Sequence, residues 1–139
     1  MTRHTLPEGL DPTTDELEAP LPSRPAPVEL AAALLIVGGV INVLSAAANL
    51  STVPPGTEPF FALTLALAIG SIVVGLLVRL GRAWLVAVNY AAVLGFLDLL
   101  GAGASPLALM LGLAEIIVVV ILFRYKPWFD ELQRRRSPA

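Results

Sequence analysis

Glu115 is the one ionisable residue in GLAEIIVVVILF, residues 112–123. An isolated charge at the centre of a bilayer costs at least ~2.5 kcal/mol. No Lys or Arg lies at that depth to pair with it. Glu115 is therefore expected to be held as the neutral acid, hydrogen-bonded to Asn42, Ser71 or a backbone carbonyl. Such a residue is either glue between helices or the working group of a transport, proton or partner role. The lack of a second charge in its layer favours glue, because relays need chains of ionisable groups.

Counted inward from Phe123 at ~1.5 Å per residue, Glu115 is ~12 Å deep, near the midplane. Ser71 and Asn89 share that level, and Asn42 is about a turn further out. Asp98, in GFLDLL, counts to ~24 Å from Arg82, near the far boundary with Ser45 and Thr64. It reads as a hydrated boundary or capping residue, too distant from Glu115 for a catalytic pair. Asn89 lies roughly opposite the small-residue stripe of its own helix. It marks either a second interface or a local hydrogen bond.

Other chemistry is sparse. There is no cysteine, and the only histidine is His4, so no thiolate site, histidine triad or metal cluster is expected. No phosphate-cradling glycine loop occurs, and Gly38-Gly39 and Gly101-x-Gly103 read as helix packing and turn. The chain is expected to be no enzyme and to use no cofactor.

The elements that position these residues follow from hydropathy. The 139 residues are 56% hydrophobic and 14% charged, with net charge −2. A soluble domain is typically ~45–50% apolar and ~25% charged. The balance indicates a membrane protein with no nucleic-acid partner. Residues 1–27 carry six of the twelve prolines and several acidic residues, and read as a disordered acidic cytoplasmic tail. Four spans follow at about 28–50, 60–80, 83–100 and 107–123, within a membrane domain at 28–124. STVPPGTEP, RLGR and GAGASP punctuate them. The first apolar run is too long, and its leader too acidic, for a signal peptide. Residues 125–139 form a basic interfacial tail.

All nine Lys and Arg fall in the N-terminal tail, in the 79–82 turn or after the fourth span, and none in the other two connections. Basic loops stay cytoplasmic, so both termini are expected inside a multi-pass protein of the cell membrane, and an even span number puts them on the same side. Trp84, Trp128 and Phe129 are expected to anchor at the headgroup level. Trp128, Phe129 and Leu132 would dip into the inner surface while Arg134, Arg135 and Arg136 attract anionic lipid at ~1 kcal/mol per charge. Each span carries a stripe of small or polar residues (Gly38 and Asn42; Ala68, Ser71 and Gly75; Ala91, Gly95 and Asp98; Gly112 and Glu115), which predicts an antiparallel four-helix bundle.

The Gly81-Arg82-x-Trp84 start of the third span and the FRYKPWF exit from the fourth resemble those of small four-span membrane proteins from GC-rich bacteria. The likeness covers about residues 28–130 and implies a four-helix inner-membrane protein with no assigned catalytic residues. Small multidrug transporters also have four short spans and a membrane Glu, but theirs lies on the first span, where this chain has Asn42. The function expected is therefore an accessory, assembly or interaction subunit, partnered by the bilayer and by another membrane protein or further copies of itself. The alternative is a small homo-oligomeric transporter or channel using Glu115.

Overall fold

The computed structural model describes residues 22–103 and 105–137, so the expected disordered tail lies, up to residue 21, outside the described residues. These form five helices: α1 (Ala26–Ala48), α2 (Glu58–Arg79), α3 (Trp84–Gly101), α4 (Pro106–Arg124) and α5 (Lys126–Arg136). One 3-10 turn lies at Leu50–Thr52. The first four contain 23, 22, 18 and 19 residues. At ~1.5 Å per residue they are about 27–35 Å long, the thickness of a hydrocarbon core. All four are long and apolar enough to cross a membrane.

Proline opens rather than breaks these helices. One stands in the first turn of α1, α2, α4 and α5, where its missing N–H has no intrahelical partner to lose. This is why α1 begins at Ala26, ahead of the expected position 28. The α2–α3 turn closes with Gly81 N–H donating to Val78 O and Arg82 N–H to Leu77 O. That reciprocal pattern needs a left-handed residue at position 81, and Gly81 supplies it at φ +64°.

The tightest seam joins α1 to α2. A Cβ added to Gly39 would lie 2.7 Å from Ala68 O, and one added to Gly75 would lie 3.0 Å from Ala32 O. Backbone therefore meets backbone, the arrangement that gives apolar helices dispersion contact in lipid. Gly38 instead turns toward α4, where its nearest neighbour would be Leu111 Cδ2 at 3.6 Å. A second close seam joins α3 to α4 through Gly95 and Gly112, and of the neighbouring spans α2 and α3 touch least.

The densest core lies toward the basic end of the molecule. Val28, Ala31 and Leu35 of α1, Val78 of α2, Ala87 and Ala91 of α3, and Val118 and Leu122 of α4 are fully buried together. The outward faces are apolar, with Leu44, Phe60, Phe96 and Met110 among many large exposed side chains. An apolar surface of that extent is a lipid or protein contact surface.

α5 differs from expectation. Phe129 and Leu132, read from the sequence as dipping into lipid, are only 3% and 4% exposed. The helix folds beneath the bundle, with Leu132 and Trp128 against Gly81. An amphipathic helix needs one apolar surface, and here the underside of the bundle provides it instead of the membrane.

Candidate functional site

Glu115 projects from α4 against Gly95 of α3. A Cβ at Gly95 would come within 2.9 Å of Glu115 Cβ, and one at Gly112 within 2.9 Å of Leu99 Cγ. Glu115 is thus sandwiched where two glycines let the helices approach, and is 6% exposed. Its Oε2 is buried with no hydrogen-bond partner among the described residues.

The expected link to Ser71 is not made. Ser71, 1% exposed, donates its hydroxyl to Leu35 O at 2.8 Å. It faces α1 because the Gly39 and Gly75 contacts turn that side of α2 toward α1. Ser71→Ala should cost about 0.6 kcal/mol and at most ~1.7, the range for interhelical bonds in membranes. Unfolding in bicelles measures this, and an unchanged midpoint would contradict the bond. Asn42 is half-buried and makes no hydrogen bond to Glu115 Oε2.

Asp98 lies closer to Glu115 than residue counting suggested. With Gly95 touching Glu115, Asp98 is only three positions further along α3, about 4.5 Å along the axis. α3 and α4 do not start from one common plane, and their packing register sets Gly95 beside Glu115. Asp98 and Glu115 thus stand within about one helical turn of each other along the bundle axis. Among the described residues no cluster of three or more His, Cys, Asp or Glu forms a metal centre.

Asn89 is exposed, and its Nδ2 donates to Leu85 O at 2.8 Å, a local hydrogen bond within its own helix. Sequence reasoning passed over its neighbour Tyr90, whose hydroxyl donates to Leu67 O across Gly70. The available signal was a tyrosine deep in a span, whose hydroxyl must find an acceptor, opposite a glycine that leaves it room.

At the basic end, Trp84 Nε1 donates to Leu122 O at 2.7 Å. That carbonyl is among the last of α4, which have no helical partner of their own. Phe123 meets the Trp84 ring edge-on at 5.7 Å, and Lys126 Nζ lies 5.3 Å from its centre. Trp84→Phe keeps the ring and deletes the donor. It should lower stability by about 1 kcal/mol, and an unshifted unfolding midpoint would place the stabilisation in the ring alone.

Glu29 binds both Arg24 and Arg79, tying the start of α1 to the end of α2. The expected lipid-binding arginines have protein partners. Arg134 and Arg135 pair with Glu131 at 2.6 and 2.8 Å, and Arg136 donates to Leu80 O at 2.8 Å and Gly81 O at 3.4 Å. The hydrogen bond from Arg135, then the Arg134 charge, holds the Glu131 carboxyl below the usual range. These pairs are complete above the ordinary carboxylate pKa and fade only as pH falls through the lowered value. Arg82 has no ion-pair partner among the described residues. It lines a cavity of about 450 Å³ between the α2–α3 turn and α5, together with Trp84, Asp130, Gln133 and Arg136.

No family model, curated protein or solved structure matches this chain.

Proposed function

We propose that the chain is a non-enzymatic integral protein of the cell membrane, an antiparallel four-span bundle with both termini cytoplasmic, acting as an accessory, assembly or interaction subunit. The observation that carries this reading is the apolar packing between Glu115 and the basic end. Val28, Leu35, Val78, Val118 and Leu122 are fully buried there, so among the described residues apolar side chains fill the interior of a single copy between Glu115 and that end. Its outer apolar faces are then its working surface. The opposed pairs Gly39–Ala68 and Ala32–Gly75 support the antiparallel arrangement, since residue numbers rise on α1 as they fall on α2.

The unpaired Oε2 of Glu115 favours a second reading, a homo-oligomeric transporter or channel in which that carboxyl exchanges a proton or meets a polar cargo. Native mass spectrometry of the protein extracted with its surrounding lipid separates the two. A defined heteromeric mass supports the accessory subunit. Homo-oligomers, together with flux in proteoliposomes that Glu115→Gln abolishes, support the transporter.

A further inference from the structure

Two cavities meet at the start of α3. The first is the basic chamber that holds Arg82 and Arg136, with Gln133 and Asp130 on its α5 side. Asp130 is already paired with Lys126 at 2.6 Å, which leaves the chamber net positive. The second is an apolar groove, also about 450 Å³, along the α2–α3 seam, lined by Leu67, Val93 and Leu94 with Tyr90 and Asn89. Leu85 and Val86 line both, so the chamber and the groove lie side by side at the start of α3. The groove exists because α2 and α3 make the sparsest of the four contacts between neighbouring spans. Tyr90, lying across Gly70 to reach Leu67 O, bridges the two helices there.

From these observations we infer a binding site for one anionic phospholipid of the inner leaflet, its phosphate in the chamber and an acyl chain in the groove. The inference rests on the membrane reading above. Length selects the occupant. Leu85 to Leu94 covers about 13 Å of α3 at ~1.5 Å per residue, close to the ~15 Å of one leaflet's hydrocarbon. A partner helix would need a groove about twice as long. Charge selects the headgroup, since a phosphate gives Arg82 the anionic partner that the described residues do not supply.

The test uses the full chain in mixed micelles of phosphatidylglycerol and phosphatidylcholine, with retained lipid read by native mass spectrometry. One phosphatidylglycerol per chain is expected to persist in preference to phosphatidylcholine. Arg82→Gln should reduce that fraction at least threefold, and so should Val86→Trp, which obstructs the groove without touching the charge. Arg124→Gln removes a charge from the same end of the bundle, outside the chamber, and should change it little. Equal losses from Arg82→Gln and Arg124→Gln would reduce the effect to diffuse attraction and overturn the site. So would displacement of the lipid by millimolar inorganic phosphate, or retention that Val86→Trp does not alter. If the protein failed to enter bilayers at all, the membrane reading would fall first, and flotation of the wild-type chain with liposomes checks that separately.

Discussion

Glu115→Met should make the protein more stable, by about 1–3 kcal/mol. A buried polar atom without a partner costs about that much, and an apolar group of similar shape removes the cost. Glu115 Oε2 is such an atom, and methionine is flexible enough to fill the space beside Gly95. The sign separates two accounts. A carboxyl acting as glue between helices would make Glu115→Met destabilising by about 0.6–1.7 kcal/mol. A carboxyl retained at a cost in stability makes Glu115→Met stabilising, and marks the residue as one kept for what it does. Reversible unfolding in bicelles reads the difference directly, and a fall in stability would restore the glue account.

Gly39→Ala should be strongly destabilising while Gly38→Ala is nearly silent. The methyl at position 39 meets Ala68 O at 2.7 Å and Ile72 N at 3.1 Å. Both are backbone atoms, so whole helices must separate to admit it. Overpacking of this kind costs ~1–3 kcal/mol. At position 38 the methyl meets only Leu111 Cδ2, at an ordinary 3.6 Å, and the expected change is within about 0.5 kcal/mol. The same unfolding assay applies to both variants. Equal effects at the two positions would mean that the α1–α2 seam is looser than described.

This pair of glycines also shows how far the sequence could be read. Hydropathy and the Pro and Gly punctuation outline four membrane-length helices, because a ~20-residue apolar requirement is local and coarse. The small-residue stripes pointed to Ser71 and Glu115, and both side chains are buried in protein. Which helix each side chain meets was not legible. Gly38 and Gly39 are consecutive, yet one serves α4 and the other α2, and a stripe drawn on an isolated helix cannot divide them. Relative register was equally hidden. The close approach of Gly95 and Gly112 sets where α4 stands beside α3, and so brings Asp98 within about a turn of Glu115. For α5, the alternation of Phe129 and Leu132 with charged residues satisfies a bilayer surface and the underside of a bundle alike. Only the position of Gly81, which leaves room for Leu132 and Trp128, distinguishes the two. Tyr90 went unnoticed because its importance lies in a carbonyl and a glycine on another helix.

In the topology we propose, the basic end of a four-span membrane protein, with both termini, faces the cytoplasm. Its absence of cysteine makes single-cysteine variants unambiguous reporters. The most direct measurement is labelling of Ser51→Cys and Ser137→Cys with a membrane-impermeant maleimide, on intact cells and again after permeabilisation. The account predicts that position 51 labels on intact cells and position 137 only after permeabilisation. Labelling of position 137 on intact cells, with or without position 51, would contradict it.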